Sequence, residues 1–184
     1  MIRFFFRLVF WLFGWKVIGE KPSNIKKYII VVAPHTSNID FLIGVAARSI
    51  SKLKSAYLAK KELFDLPLIG WFFKATGGIP VDRSKKTNMV DQVIEFLESS
   101  DPHRELAVCV TPEGTRSYAE KWKTGFWHIA DNAKIPIVMV GFDFARKAVE
   151  FKEPFFTSNK EEDIDKMKAY FRTVKGRNPE MGVH

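Results

Sequence analysis

The feature that most constrains the fold is a set of unbroken apolar runs separated by segments with helical periodicity. The runs at residues 27–33, 106–110 and 135–142 each predict a strand without a polar face. Such strands need helices on both sides, which is typical of a mostly parallel sheet. Between and after these runs, apolar residues recur at helical spacing in residues 39–50, 87–97, 125–133 and 161–174.

Shorter segments complete the expected fold. Residues 55–59 and 78–81 predict strands, residues 147–151 an edge strand, and residues 67–74 a short apolar helix or a membrane-facing loop. A chain of 184 residues with 46% hydrophobic residues suits one domain with a substantial core. The sequence therefore predicts an α/β fold: a single domain with a mixed, mostly parallel sheet flanked by helices. Ligands usually bind at the carboxyl ends of such strands.

The N-terminal segment is unusually aromatic and basic. Residues 2–18 read IRFFFRLVFWLFGWKVI, in which Arg3, Arg7 and Lys16 interrupt an otherwise apolar run. The run is too short and too charged for a spanning helix, and no small-residue cleavage site follows it. It predicts an amphipathic membrane-interface helix over residues 1–18, with its arginines reaching lipid phosphates, ahead of a domain at residues 19–184. The alternative is a helix that packs only on the protein's own core.

The charge distribution indicates a polyanionic partner. The formal net charge is +8, and residues 1–61 alone carry 11 Lys and Arg against 2 Asp and Glu. Nucleic acid or an anionic membrane could supply the opposite charge. No nucleic-acid-binding motif is present, and the basic residues alternate with phenylalanines rather than with a stacking platform, so we expect a membrane and no nucleic acid. The single cysteine, Cys109, excludes a disulfide framework and a cysteine-based zinc site.

A first polar cluster, His35 to Asp40, follows the strand predicted at residues 27–33. If the turn brings the two side chains together, Asp40 can accept a hydrogen bond from one imidazole nitrogen of His35. The other nitrogen is then free to take a proton from a substrate hydroxyl. The alternative is structural, because Ser37-x-x-Asp40 also resembles the capping box at the start of a helix.

Two further polar clusters follow the strands at residues 78–81 and 106–110. The first contains Arg83, which is suited to holding a phosphate, or else belongs to a solvated turn. The second contains Glu113, Gly114 and Arg116. Glu113 could accept hydrogen bonds from a hydroxylated substrate, Gly114 permits close approach of a ligand, and Arg116 adds an anion contact. The alternative for this cluster is a turn that caps a helix.

Together and in this order, the clusters resemble the glycerolipid acyltransferase family, whose type member is lysophosphatidic acid acyltransferase. The motif H-x-x-x-x-D matches His35 and Asp40, and a glycine-led strand ending in arginine matches residues 78–83. The motif F-P-E-G-T-R-S matches residues 112–117, with Thr111 in place of phenylalanine, and a V-P-I-x-P-V-like strand matches residues 135–140. The resemblance implies a glycerol-3-phosphate acyltransferase-like fold.

The resemblance also implies residue roles. His35 is the expected general base and Asp40 its orienting partner, which makes them the catalytic pair. The substrate-binding residues are then Arg83, Glu113, Gly114, Thr115 and Arg116.

The implied reaction moves a fatty acyl group from acyl-CoA or acyl carrier protein to a hydroxyl of a lysophospholipid such as 1-acylglycerol-3-phosphate. It needs no metal and no cofactor beyond the acyl donor, and it takes place at the cytoplasmic face of the membrane on a peripheral or monotopic protein. Two alternatives remain open: another lysolipid acceptor, such as one with an amino-acid headgroup, or a non-catalytic lipid-binding module. Cys109 lies in an apolar run, and no G-x-S-x-G elbow is present, so we expect no covalent acyl-enzyme.

Overall fold

A computed structural model describes residues 2–81 and 89–184. The strands are β1 (Lys16–Ile18), β2 (Lys27–Ala33), β3 (Ser55–Lys60), β4 (Gly78–Val81), β5 (Leu106–Val110), β6 (Ile137–Asp143) and β7 (Ala148–Phe151). The helices are α1 (Ile2–Leu12), α2 (Ile39–Ile50), α3 (Ile69–Thr76), α4 (Met89–Ser99), α5 (Gly125–Asn132) and α6 (Lys160–Phe171). Short 3-10 helices lie at Lys61–Phe64 and Pro179–Met181.

The described strands form one seven-stranded sheet in the order β1-β7-β6-β2-β5-β3-β4. All neighbours pair in parallel except β6 and β7, which are antiparallel. The prediction of a single α/β domain with a mixed, mostly parallel sheet is therefore confirmed. Because β2 lies between β5 and β6, the chain emerging from its carboxyl end lies near the centre of the sheet edge.

Helices cover both faces of the sheet, as the unbroken apolar runs require. Along β2, Ile29 and Val31 pack in a cluster with side chains of α4, α5 and α6. Tyr28 and Ile30 point the other way, into a cluster with side chains of α1 and α2. Successive side chains of a strand face opposite sides, so an apolar strand such as β2 is stabilised by burial on both.

The helix expected over residues 1–18 is wrong in length. It ends at Leu12; Gly14 then adopts a left-handed backbone (φ 71°), and the chain continues as β1. β1 pairs in parallel with β7, so the end of the segment belongs to the sheet of the main domain. Most of the segment is apolar, but a glycine in the left-handed region ends a helix whatever the hydrophobicity around it.

Arg3 also departs from expectation. Its Nε donates a hydrogen bond to the carbonyl oxygen of Ile50 at 3.0 Å, at the end of α2. A cation at the carboxyl end of a helix interacts favourably with the helix dipole and with the unpaired carbonyl groups there. Arg3 therefore joins α1 to α2, whereas Arg7 is exposed.

The edge strand predicted at residues 147–151 is wrong in position. β7 is an inner strand, because β1 pairs with its outer side in the register Val17 to Val149. The apolar helix expected at residues 67–74 is observed as α3. The elements predicted at residues 27–33, 39–50, 78–81 and 106–110 have the expected bounds, and the remaining boundaries differ by at most three residues. Within the described part of the chain, no helix combines the length and apolar composition needed to cross a membrane.

Candidate active site

The turn after β2 brings His35 and Asp40 together. His35 Nδ1 lies 3.1 Å from Asp40 Oδ2, although the residues are five positions apart. The same carboxylate oxygen accepts hydrogen bonds from the backbone N–H groups of Thr36 at 2.8 Å and Ser37 at 2.9 Å. Asp40 is 1% exposed, so these donors fix its position. An imidazole that donates from Nδ1 to this carboxylate keeps Nε2 as the free acceptor.

The structural alternative for this cluster is observed in part. The hydrogen bond from the Ser37 N–H to Asp40 is one half of a capping box at the start of α2. The Ser37 hydroxyl in turn accepts from the N–H of Ile39 at 3.2 Å. The other half of the box is absent, because the Ser37 hydroxyl does not accept from the Asp40 N–H, and the N-cap of α2 is Asn38. The two interpretations do not exclude each other, because one carboxylate both accepts the Ser37 N–H before α2 and faces His35.

Glu113 joins the third cluster to the first. Its Oε1 accepts the backbone N–H of His35 at 3.1 Å, and the residue is 6% exposed. Burial raises the pKa of this carboxyl group, an effect opposed by the hydrogen bonds from its own backbone and from His35. Its Oε2 is buried without a hydrogen-bond partner among residues 2–81 and 89–184. A buried acceptor of this kind is rare, because buried polar atoms are nearly always hydrogen-bonded.

Gly114 adopts a backbone conformation that favours glycine. Its backbone is left-handed (φ 64°), and a Cβ at this position would lie 2.7 Å from Lys123 Nζ. Lys123 folds back on the loop, where its N–H donates to the Pro112 carbonyl at 2.8 Å. Gly114 and Lys123 line the same cavity as His35. Lys123 was not among the predicted site residues, and the only signal for it was its position a few residues after the motif.

Of the predicted substrate-binding residues that the structure describes, Gly114 lines the cavity, whereas Glu113, Thr115 and Arg116 do not. Thr115 and Arg116 are exposed on the loop that follows Gly114 and do not line the cavity with His35. Thr115 Oγ1 instead accepts the N–H of Ser117 at 3.3 Å. Arg83 lies outside the described residues. The roles of all the predicted catalytic and substrate-binding residues remain predictions.

A cavity of about 710 Å³ opens beside His35 and Asp40. Part of its lining, including Val45 and Phe142, belongs to the α2 face of the sheet. Another part, including Val110 and Phe126, belongs to the face covered by α4 and α5. The cavity is mostly apolar and of the size of small-molecule sites, and its polar lining includes His35 and Asp40 at the sheet edge. It can hold an aliphatic chain with a reactive group beside His35.

Two cavity residues have chemistry that the motifs did not reveal. Arg48 lines the cavity from α2, and its Nε is buried without a hydrogen-bond partner in the described ranges. Cys109 also lines the cavity, and burial raises the pKa of its thiol to about 11. The thiol is therefore protonated at neutral pH and is a poor nucleophile.

The fold and the site together define an α/β protein with a His–Asp pair at the edge of its sheet, beside an apolar cavity. A family model described as Acyltransferase matches residues 15–143. The chain belongs to the acyltransferase family.

Three relatives illustrate the similarity. The 1-acyl-sn-glycerol-3-phosphate acyltransferase of Saccharomyces cerevisiae (strain ATCC 204508 / S288c) is 37% identical over 131 residues, which are 68% of this chain and 41% of the relative. The enzyme of the same description from Limnanthes alba is 30% identical, over 71% of this chain and 46% of its own. A probable 1-acyl-sn-glycerol-3-phosphate acyltransferase of Mycoplasma pneumoniae (strain ATCC 29342 / M129 / Subtype 1) is 33% identical, over 71% and 50% respectively.

The chain thus spans about half the length of these relatives. A solved structure, the 1-acyl-sn-glycerophosphate (LPA) acyltransferase PlsC from Thermotoga maritima, has the same fold. It superposes with a TM-score of 0.63 at 21% identity and covers 92% of this chain and 74% of that chain.

Proposed function

We propose that this protein transfers a fatty acyl group from an acyl thioester to a hydroxyl of a lysophospholipid such as 1-acylglycerol-3-phosphate. The proposal rests on the contact between His35 Nδ1 and Asp40 Oδ2, which lie 3.1 Å apart at the polar edge of an apolar cavity. Relatives described as 1-acyl-sn-glycerol-3-phosphate acyltransferases support this acceptor. The donor is acyl-CoA or acyl carrier protein, because either one presents the same thioester.

In the proposed reaction, His35 Nε2 takes the proton of the acceptor hydroxyl while the oxygen attacks the thioester carbonyl carbon. The new C–O bond forms, the C–S bond breaks, and the imidazolium returns the proton to the leaving thiolate. Asp40 orients the ring and stabilises the imidazolium. A thioester is already activated, so one direct transfer suffices, and the raised pKa of Cys109 is consistent with a mechanism without an acyl-cysteine. No metal or cofactor takes part in this scheme.

The polar residues around His35 suit a glycerol phosphate acceptor. The free Oε2 of Glu113 can accept a hydrogen bond from a glycerol hydroxyl. Lys123, against Gly114, supplies a cation for the phosphate. Arg116 and Thr115 on the same loop, and Arg83 from the sequence motif, are further proposed contacts. This set of charges favours an anionic headgroup over a neutral one.

We further propose that the protein works on an anionic membrane surface. Seven apolar side chains of α1 and the turn after it are exposed: Ile2, Phe4, Phe5, Leu8, Trp11, Leu12 and Phe13. The opposite side of α1 packs on the core through Phe10. A soluble protein rarely exposes so much contiguous apolar surface without a partner for it. The excess of Lys and Arg in residues 1–61 favours anionic lipid as that partner.

A second exposed apolar group lies around α3. Its members are Leu66, Leu68, Ile69, Trp71 and Phe72. Phe72 contacts Phe41 of α2 with ring centroids 6.1 Å apart, and α1 packs on the same helix. If the exposed apolar side chains of α1 and of α3 both contact lipid, the α2 side of the cavity faces the membrane. We therefore propose a peripheral or monotopic protein on the cytoplasmic face of the membrane.

The test is acyl transfer by the purified full chain. It is offered palmitoyl-CoA or palmitoyl acyl carrier protein together with lysophosphatidic acid, and products are identified by mass. We expect phosphatidic acid, and we expect the His35→Gln variant to lose activity by about 100-fold or more while remaining folded. Full activity of this variant would contradict the proposed base. Transfer to another lysolipid only would correct the acceptor, and lipid binding without thioester cleavage by the unmodified protein would indicate a non-catalytic module.

A further inference from the structure

The C-terminal segment, residues 175–184, lies across the loop that carries His35. The Lys175 carbonyl accepts the N–H of Phe144, which immediately follows β6, at 2.8 Å. The segment then passes so close to the loop that a Cβ at Gly176 would lie 2.8 Å from Thr36 Oγ1 and 3.1 Å from Pro34 Cγ. At its end, the ring of His184 lies 5.2 Å from that of Tyr118 in the third cluster. The acyltransferase family match ends at residue 143, well before this segment.

Asn178 makes the polar contacts between this segment and the loop. Its backbone N–H donates to Thr36 Oγ1 at 3.2 Å, and its side-chain Nδ2 donates to the Thr36 carbonyl oxygen at 2.9 Å. Thr36 is only 3% exposed, and 142 residues separate it from Asn178. One residue therefore holds both the side chain and the main chain of Thr36.

Thr36 is also the residue whose N–H donates to Asp40 Oδ2 at 2.8 Å, the oxygen that faces His35 Nδ1. The contacts thus run from Asn178 through Thr36 to Asp40 and His35. A shift of the Thr36 peptide would move the donor that positions Asp40. Small displacements of a catalytic pair are costly, because proton transfer depends on the distance and direction of the hydrogen bonds.

We propose that Asn178 is a positioning residue for acyl transfer, which acts through Thr36 to hold the His35–Asp40 pair. This inference rests on the proposed function, in which His35 is the general base. Asn178 touches no reacting atom, so its effect falls on kcat. The KM for either substrate is unaffected, since the lining of the cavity does not include Asn178.

Three variants separate positioning from general stability. Asn178→Ala removes the side-chain donor. Asn178→Asp keeps the shape and the backbone donor but turns a carboxylate oxygen toward the Thr36 carbonyl. Glu180→Ala, in the same segment, is the matched control, because the Glu180 side chain is exposed and only its backbone carbonyl contacts His184. Asn178 is itself exposed, so its substitution leaves no cavity in the core.

The experiment measures kcat, KM and melting temperature of the full chain, and records the imidazole nitrogen signals of His35 by NMR, assigned by comparison with His35→Gln. We expect kcat to fall about five-fold in Asn178→Ala and further in Asn178→Asp, while KM stays unchanged in both. The Glu180→Ala control should keep the kcat and KM of the unmodified protein. The NMR signals of His35 should change in both Asn178 variants.

Unchanged NMR signals and kcat in both Asn178 variants would overturn the inference, as would a lower melting temperature with kcat intact. The NMR result does not depend on turnover. Changed His35 signals in a protein whose His35→Gln variant still transfers acyl groups would support the positioning contact while contradicting the proposed base.

Discussion

The backbone N–H of His35 donates a hydrogen bond to Glu113 Oε1 at 3.1 Å, across 78 residues of sequence. This contact links the turn after β2 to the turn after β5, two strands that are neighbours in the sheet. The carboxylate oxygens of Glu113 therefore differ: Oε1 holds the main chain of the proposed base, and Oε2 is buried without a hydrogen-bond partner among the described residues. Substitutions that treat the two oxygens differently separate their contributions.

Replacement of Glu113 by alanine should lower both stability and activity. The N–H of His35 would lose its partner in a partly buried place, so we expect the free energy of unfolding to fall by about 1–3 kcal/mol. Glu113→Gln keeps an acceptor for this N–H and should be nearly as stable, with a raised KM for the acceptor lipid. Denaturant unfolding and steady-state kinetics of both variants check this prediction. Equal stability of the alanine variant and the unmodified protein would contradict it.

The raised pKa of Glu113 predicts how stability depends on pH. In the folded protein this carboxyl group keeps its proton to higher pH than in the unfolded chain. Between the ordinary glutamate pKa of about 4.3 and the raised folded value, the native state binds more protons, so this group makes stability fall as pH rises. Glu113→Gln removes that dependence. Unfolding measured across this range should therefore show the unmodified protein losing stability relative to the glutamine variant.

Cys109 should be dispensable for chemistry. Its thiol has a pKa raised to about 11, so it is almost entirely protonated at neutral pH and becomes a thiolate only in strong alkali. We expect Cys109→Ala to retain acyl transfer within about two-fold, and the unmodified protein to react slowly with thiol reagents at neutral pH. Mass spectrometry during turnover should find no acylated cysteine. An acyl group on Cys109 would contradict direct transfer.

Arg48 should influence the preferred acyl chain. It follows Asp40 by eight residues on α2, which places it about 12 Å further along the helix axis. A long aliphatic chain entering beside His35 would meet its buried Nε. Arg48→Met makes this end of the cavity apolar. Each further methylene of the acyl chain that this end then buries should raise the relative rate of acyl transfer about four-fold.

Competition between lauroyl, palmitoyl and stearoyl thioesters measures that preference. Arg48→Lys keeps a charge at the same place and is the control, for which we expect a pattern close to that of the unmodified protein. An identical chain preference in the methionine variant would show that acyl chains do not reach Arg48.

Membrane contact should depend on single exposed tryptophans of α1 and α3. Trp11→Ser and Trp71→Ser each remove a side chain that is more than 70% exposed, so folding should be little affected. We expect each change to lower partitioning onto vesicles of phosphatidylcholine and phosphatidylglycerol by about ten-fold. Point variants suit this question better than removal of residues 1–18, because β1 belongs to the sheet.

Phe156→Ser is the matched control for the membrane prediction. Phe156 is also exposed, but its neighbour Phe155 packs on the cluster at the opposite face of the sheet from α1 and α2. Sedimentation of the control with vesicles should equal that of the unmodified protein. Equal loss in all three variants would mean that binding is not confined to the α1 and α3 side.

Much of the fold and part of the site were predictable, because they depend on local patterns. The apolar runs predicted β2, β5 and β6, and the spacing H-x-x-x-x-D predicted that His35 and Asp40 could meet in one turn. Glu113 and Gly114 were predicted from a contiguous motif. Burial, strand alternation and turns over a few residues are properties of short segments, and a sequence displays them directly.

Other features depend on which segments become neighbours, and only the tertiary structure decided them. The pairing of β1 with the outer side of β7 and the hydrogen bond from Arg3 to the end of α2 have no local signal. The contact of Asn178 with Thr36 spans 142 residues. The sequence by itself determined that strands buried on both faces would carry polar turns at one edge. Which side chains meet at that edge follows from packing between distant segments, since their contact energies exist only after the chain has folded.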